Sequence, residues 1–151
     1  MRYVWGGESN PGDNLIMGEW CARQLWPDGD ERFENYTTLG IMNDTDLLGV
    51  VVFHNWSPRS GTIELSAASI SPRWLTRQTL LNMYGYPFDE CGCQMVFQRN
   101  SVKNTRISGI LRRFGHDEIL LPRMRGRNED ELLFTLTEEK WREKEKELNR
   151  G

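Results

Sequence analysis

The spacing of apolar residues in the first half of the chain predicts one strand, one helix and then three more strands. A short run of apolar and aromatic residues over 3–5 predicts the first strand. Apolar side chains then recur every three or four positions, which predicts a helix with Asp13 as its N-cap. The helical positions are Met17, Trp20, Cys21 and Leu25. Turn residues separate three further strands, which we predict over 37–42, 47–56 and 62–69.

From residue 75 onward, two helical apolar stripes alternate with strands. The first stripe consists of Leu80, Leu81, Tyr84 and Phe88. It predicts a helix whose end is bent or shortened by Pro87. The second stripe consists of Ile107, Ile110, Leu111 and Phe114. It predicts an amphipathic helix that stops at Gly115. We predict strands over 94–98, 119–121 and 132–136.

The last segment is strongly polar. Thr137 is the predicted cap of a helix over 138–149, whose composition indicates a solvated surface helix or a frayed tail. The element order β-α-β-β-β-α-β-α-β-β-α predicts an α/β (α+β) fold with a mixed central sheet flanked by helices. We predict one domain over 1–137, followed by a charged C-terminal helix or tail over 138–151.

The composition indicates an ordinary globular protein. The chain has 151 residues, of which 38% are hydrophobic and 27% are charged. No apolar run approaches the length of a membrane span, and the N-terminus lacks a signal-peptide pattern. Cys21, Cys91 and Cys93 are odd in number and have no nearby histidines, which favours reduced thiols rather than a metal site. A cytoplasmic protein is the simplest interpretation.

Charge is distributed unevenly along the chain. The net charge is −3, which does not favour a general polyanion binder. The segment 99–127, however, holds eight basic residues against Asp117 and Glu118, and the chain becomes acidic from Asn128. This asymmetry indicates a local anion site. Arg123, Arg125 and Arg127 are candidates for it, or else they form a solvated hairpin tip.

Between residues 63 and 115, short motifs occur in a recognisable order. They are Ile63-Glu64-Leu65, Ser71-Pro72, Trp74, Tyr86-Pro87-Phe88, Cys91-Gly92, the strand 93–96, Asn104 and Phe114-Gly115. In this order they resemble the GNAT superfamily, and within it the ribosomal-protein N-terminal acetyltransferase branch. Short members in phage and prophage gene clusters are similar as well. The resemblance implies the GNAT acyl-CoA N-acyltransferase fold and an N-acetyltransferase that transfers an acetyl group from acetyl-CoA to an unidentified amine.

The resemblance also implies catalytic residues. Glu64 corresponds to the strand residue that faces the acceptor cleft, which makes it the candidate general base. The alternation of its strand equally allows Glu64 to point into solvent. His54, on the neighbouring strand, is a second candidate base or a structural histidine. The family's tyrosine acid has no counterpart, so the leaving thiolate would be protonated by solvent or by Ser108.

By the same resemblance, the backbone of Ala68, Ser69 and Ile70 pairs with the pantetheine arm of the cofactor. Asn104 contacts that arm from the other side, and its residue type also suits a helix N-cap.

The pyrophosphate loop departs from the family pattern because it has no glycine. The residues that would bind phosphate there are Arg73, Thr76, Arg77 and Thr79. Either a helix N-terminus and the two arginines replace the glycine loop, or the domain has lost the cofactor.

Two rival functions remain open on this basis. The missing glycines and tyrosine favour a catalytically degenerate GNAT-fold module used for binding or assembly, for example in a phage particle. The basic cluster favours an acyltransferase that modifies nucleic acid. The acceptor, whether a protein, a small molecule, an acidic group or nucleic acid, and the oligomeric state, a homodimer included, do not follow from the sequence.

Overall fold

The structure is a computed structural model and describes residues 1–150. Within these residues, seven strands form one sheet. They are β1 (Arg2–Gly6), β2 (Thr37–Met42), β3 (Leu47–Ser57), β4 (Thr62–Ser69), β5 (Met95–Ser101), β6 (Asp117–Gly126) and β7 (Glu129–Thr137). The helices are α1 (Pro11–Leu25), α2 (Arg77–Gly85), α3 (Thr105–Phe114) and α4 (Glu138–Arg150). The prediction of a mixed sheet flanked by helices is confirmed.

The sheet has the order β1-β2-β3-β4-β5-β7-β6. All neighbouring strands are antiparallel except β4 and β5, which are parallel. Parallel neighbours need a crossover connection, and α2 with the turns on either side of it supplies one. The single parallel pair therefore lies near the centre of the sheet, between two antiparallel halves.

Most predicted elements occur where expected, and α2 ends at Gly85 in a π-helical turn, Tyr86–Glu90, that contains Pro87, as predicted. Four elements need a correction. α1 begins at Pro11 with Asn10 as its N-cap, not Asp13, because proline is well suited to the first helical position. β5 extends to Ser101 rather than ending at 98, and β7 is longer than 132–136. β6 is much longer than 119–121; its side chains are mostly exposed and its alternation is weak, so the sequence pattern indicates only part of it.

Strand alternation divides the core into two layers. On one face of the sheet, Val50 and Val52 pack against α1 through Met17, Cys21 and Ala22. The intervening strand residues face the other way and form the larger cluster with α2 and α4, which includes Leu39, Val51, Phe53, Leu65, Met83 and Tyr84. The two faces of β3 and β4 are therefore covered by different helices.

The final helix is anchored rather than frayed. Trp141 is fully buried, and its ring packs against Tyr84 at 5.4 Å, Phe88 at 6.2 Å and Phe114 at 6.4 Å between centroids. Leu148 also packs against the core. Of the two predicted alternatives for this segment, a surface helix and a frayed tail, the chain therefore forms the helix. None of the helices formed by residues 1–150 has the length and apolar character needed to cross a membrane.

Candidate active site

The central feature of the site is the gap between β4 and β5. The two strands pair only from Thr62 to Glu64 on β4 and from Met95 to Phe97 on β5. Beyond these residues both strands continue for several positions, but within residues 1–150 no further pairing joins them. Backbone N–H and C=O groups on the facing edges are therefore free to bind a ligand. A cleft of about 760 Å³ opens at this point.

The cleft passes through the sheet. On the face covered by α1, the alternation that points Ala68 toward α1 also places Glu64 and Ser66 on that face, beside His54 of β3. On the opposite face the cleft is lined by apolar residues of the helices and their loops. These include Leu75, Leu80, Met83, Ile107 and Leu111. Two ligands can thus approach the gap from opposite faces.

Glu64 lies where the two strands separate. Its carboxylate is 6% exposed, and its Oε1 accepts a hydrogen bond from Nδ2 of Asn55 at 2.9 Å. Burial raises the pKa of Glu64, while the hydrogen bond from Asn55 and the charge of Arg99 act in the opposite direction. A carboxylate with a raised pKa, facing an open cleft, is suited to accept a proton.

His54 is a weaker base than Glu64 in this environment. Its Nε2 lies 2.8 Å from Oγ of Ser66, and its ring makes an edge contact with Phe33 at 4.9 Å. Burial, helped by the charge of Arg99, lowers the pKa of His54 to about 4. The imidazole is therefore neutral near neutral pH, and its 3.7 Å approach to the carboxylate of Glu64 is not an ion pair under those conditions.

The residues predicted to hold the pantetheine arm divide into two groups. Ala68, Ser69 and Asn104 line the cleft. Oδ1 of Asn104 also accepts from the N–H of Ile107 at 3.4 Å, so the two interpretations of this residue are compatible. Ile70 lies outside the cleft lining: its N–H donates to the carbonyl of Leu48 at 2.9 Å, and its side chain is exposed.

The two threonines of the predicted phosphate loop build the start of α2. Oγ1 of Thr76 accepts from the N–H of Thr79 at 3.2 Å and caps the helix. Thr79 is fully buried, and its hydroxyl donates to the carbonyl of Trp74 at 2.7 Å. Its side chain cannot reach a ligand, so the expected direct contact by Thr79 is wrong.

The two arginines of that loop are exposed. Within residues 1–150, neither Arg73 nor Arg77 forms an ion pair, and Asp89 pairs with Arg142 at 2.8 Å. Arg77 lines a second groove, of about 400 Å³, between α2, α3 and α4. Other basic groups on its rim are Arg113 and Lys144.

Sequence reasoning missed a buried charge cluster beside Glu64. Glu131 of β7 is buried, and each of its oxygens accepts from a different arginine: Oε2 from Nε of Arg99 and Oε1 from Nη1 of Arg125, both at 2.9 Å. All three side chains line the cleft. The basic stretch was a signal for Arg125, but Glu131 and Arg99 meet only through strand pairing.

A buried polar chain on the other face was also missed. Nε2 of Gln98 donates to the hydroxyl of Tyr84 at 2.8 Å, and that hydroxyl lies 3.3 Å from Nε2 of His116. Nδ1 of His116 lies 3.0 Å from the carbonyl of Leu111 and must donate to it, so Nε2 accepts from Tyr84. Ser108, a candidate acid, is buried outside the cleft lining.

Within residues 1–150, no group of three or more His, Cys, Asp and Glu side chains is arranged to hold a metal ion. The three cysteines are free thiols. Burial raises the pKa of Cys21 to about 12, which makes that thiol unreactive.

No protein-family model matches the sequence, and no curated protein matches it. Solved structures do match. Mutant forms of the spermidine/spermine N-acetyltransferase SpeG from Vibrio cholerae are similar with a TM-score of 0.71 and 12% identity, over 94% of this chain and 98% of that chain. The fold is that of the GNAT acyltransferases.

A GCN5-related N-acetyltransferase from Brucella melitensis is similar with a TM-score of 0.66 and 15% identity, over 93% of this chain and 65% of that chain. The chain spans 65–66% of the length of several structures that it matches, just under two thirds. At these identities the likeness establishes the GNAT fold alone.

Proposed function

We propose that the protein is an N-acetyltransferase that uses acetyl-CoA as the acyl donor and a primary amine as the acceptor. The observation that carries the proposal is the position of Glu64: a buried carboxylate with a raised pKa, at the point where β4 and β5 separate and the cleft opens to both faces. A base at such a gap can meet an amine from one face and a thioester from the other.

Acetyl-CoA would supply an activated thioester carbonyl. The unpaired edge of β4 at Ala68 and Ser69 would hold its pantetheine arm by backbone hydrogen bonds, with Asn104 across the cleft. Glu64 would take a proton from the attacking ammonium group, directly or through water, so that the nitrogen lone pair can form the new C–N bond. Since the cleft is open, solvent can protonate the thiolate that leaves.

The phosphates would be bound mainly by charge. The start of α2 carries no glycine, and Thr76 and Thr79 already hydrogen-bond to each other there. Exposed guanidinium groups at Arg73 and Arg77, together with Arg113 on the adjacent groove, offer the positive charge that a phosphate needs, whereas Lys144 on that groove pairs with Glu147.

The rival interpretations have less support. A degenerate assembly module has no need of a buried carboxylate beside an open cleft. The hydrogen bond from the side-chain amide of Asn55 to Glu64 therefore disfavours that interpretation. The hypothesis of nucleic-acid modification rested on the basic segment, whose positive charge is partly neutralised because Lys103 pairs with Glu129 and Arg112 pairs with Glu118. The ribosomal-protein branch, the likeness to phage and prophage members and the cytoplasmic location remain predictions, and the oligomeric state is not part of the proposal.

Direct titration of the protein with acetyl-CoA tests the proposal. Calorimetry should give a dissociation constant on the order of micromolar, and bound cofactor should raise the melting temperature by mass action. CoA without the acetyl group is the matched control and should bind with similar affinity, because the proposed contacts are to the pantetheine and the phosphates. No heat and no thermal shift at about 1 mM acetyl-CoA would favour the assembly module instead.

A further inference from the structure

A second charged site lies beside Glu64, on the same face of the sheet. In the parallel pairing of β4 and β5, Glu64 is the partner of Phe97, and Arg99 follows two residues later on β5. Because strand side chains repeat every two residues, Arg99 projects from the same face as Phe97, about 7 Å further along the strand. Arg99, Arg125 and Glu131 all line the cleft on that side.

The buried carboxylate of Glu131 fixes both guanidinium groups. Nε of Arg99 and Nη1 of Arg125 each donate to a different oxygen of Glu131 at 2.9 Å, so neither group is free to turn away. An arginine has five N–H donors, and Arg99 and Arg125 each use one of them to bind Glu131. Arg125 also forms an ion pair with Glu129, which Glu129 shares with Lys103, but at 3.6 Å it is too long to use a hydrogen-bond donor of Arg125.

The remaining donors are available to a ligand. The side chains of Arg99 and Arg125 are 42% and 32% exposed, while Glu131 beneath them is 1% exposed. Two guanidinium groups held on one buried carboxylate carry a net positive charge and several aligned N–H groups at the cleft wall. That arrangement is complementary to a carboxylate or a phosphate.

From this geometry we infer that Arg99 and Arg125 form an anion subsite, and that the acceptor is a small primary amine with an anionic group a few bonds from its nitrogen. The inference rests on the proposed function, since the amine has to lie at Glu64. A free amino acid or an amino phosphate ester has this chemistry. A polyamine such as the acceptor named for SpeG would face two guanidinium groups, and repulsion between like charges disfavours it.

Matched pairs of acceptors test the inference. Release of the CoA thiol is measured with glycine, aspartate and glutamate against the corresponding carboxamides, with phosphoethanolamine against ethanolamine, and with spermidine. We expect the anionic member of at least one pair to have a kcat/KM higher by about tenfold or more. A preference confined to phosphoethanolamine identifies the anion as phosphate and one for the amino acids identifies it as carboxylate. Equal rates within each pair, or a preference for spermidine, would overturn the inference.

Variants connect the preference to the two arginines. Arg125→Gln should raise KM for the anionic acceptor about tenfold and leave its kcat within about threefold. Arg99→Lys keeps a positive charge over Glu131 and is therefore expected to fold. It loses the bidentate geometry of the guanidinium group and should also lower the preference for anionic acceptors. Arg59→Gln, on the exposed turn between β3 and β4 and outside the cleft lining, is the control and should behave as the parent does. Variants that retain the full preference would contradict the assignment.

Equilibrium binding separates this inference from the proposed function. N-acetylglycine and N-acetylglycinamide are titrated into the protein without acetyl-CoA. Tighter binding of the carboxylate, lost in Arg125→Gln, supports the subsite even if acetyl-CoA fails to bind and the enzyme assignment falls. Equal affinity for the two compounds overturns the subsite even if acetyl-CoA binds and turnover is found.

Discussion

The side-chain amide of Asn55 donates a hydrogen bond from Nδ2 to Oε1 of Glu64 at 2.9 Å, and Asn55 does so from a left-handed backbone conformation with a φ of 52°. This conformation coincides with an irregularity in the pairing of β3 with β4, between His54 and Ser57. Asparagine tolerates such a φ better than most residues. The bulge therefore directs an amide at the carboxylate that we propose as the general base.

Removing this amide should shift the pH dependence of the reaction. The bond favours the ionised carboxylate and so opposes the rise in the pKa of Glu64 that burial causes. A general base must be deprotonated, so activity is lost as the pH falls through that raised pKa. Asn55→Gly keeps the backbone conformation and deletes the amide, and the acid limb of kcat/KM should then move to higher pH.

The control for this shift is Asn35→Gly. Asn35 also has a positive φ, 49°, but it is exposed and lies outside the cleft lining. Its pH profile should superimpose on that of the parent. An unchanged acid limb in Asn55→Gly would mean that Glu64 does not titrate in catalysis.

Substitution of the proposed base, Glu64, should lower turnover without weakening the binding of acetyl-CoA. Glu64→Gln is nearly isosteric but cannot accept the proton, so we expect kcat to fall about 10²- to 10⁴-fold. The dissociation constant for acetyl-CoA should stay within about twofold, because the cofactor contacts lie elsewhere on β4. His54→Gln should lower kcat by less than about threefold, since burial lowers the pKa of His54 to about 4 and makes it a weak base. The reverse order of effects would make His54 the base.

The sequence predicts the strands of this site much better than its charge cluster. The bounds of β2 and β4 follow from local alternation and turn residues, and both strands occur where predicted. Glu131, Arg99 and Arg125 come from three strands, and their meeting depends on the pairing of β5 with β7 and on the irregular end of β6. Such pairing is a long-range property that no local pattern encodes. Trp141 shows the same limit, because its burial depends on α2 and not on its own polar helix.

Affinity for the phosphates should depend on arginine side chains more than in a glycine-rich loop. A charge-assisted contact is worth about 1.5–3 kcal/mol when it is well formed, so Arg73→Ala or Arg77→Ala should weaken CoA binding about tenfold or more. The loss should shrink at high salt, because screening already weakens an exposed contact. Arg59→Ala, on the exposed turn between β3 and β4, is the control. Calorimetry at low and high salt measures these affinities. Unchanged affinity for CoA in both loop variants would contradict phosphate binding by Arg73 and Arg77.

The buried face of α4 should matter for stability. Trp141→Ala removes the ring that packs on Tyr84, Phe88 and Phe114, and we expect it to lower the free energy of unfolding by about 3–5 kcal/mol. Trp141→Phe keeps most of this packing and removes an indole N–H that has no partner within residues 1–150, so its loss should be smaller. Lys146→Ala, on the exposed face of the same helix, should change stability by less than about 0.5 kcal/mol. Urea denaturation measures all three, and equal values for Trp141→Ala and Lys146→Ala would show that α4 does not contribute to the core.

Acid sensitivity should depend in large part on His116. This imidazole is buried, donates to the carbonyl of Leu111 and accepts from Tyr84. Burial lowers its pKa to about 4, whereas an unfolded histidine titrates at about 6.5. The unfolded chain therefore binds a proton first as the pH falls. The contribution of the neutral His116 to the free energy of unfolding is fully present above about pH 6.5. It is lost between there and about pH 4, by up to about 1.4 kcal/mol per pH unit.

His116→Gln removes the titrating group, so the change in unfolding free energy between about pH 7 and about pH 5 should be smaller than in the parent, even if the variant is less stable at both values. His54→Gln should reduce the same slope, because the pKa of His54 is also lowered to about 4. Glu64 acts in the opposite sense: its raised pKa lets the folded state bind a proton first, so Glu64→Gln should steepen the loss. Urea denaturation of the three variants at both pH values measures the slopes. An unchanged slope in His116→Gln would mean that this histidine is not held neutral by the fold.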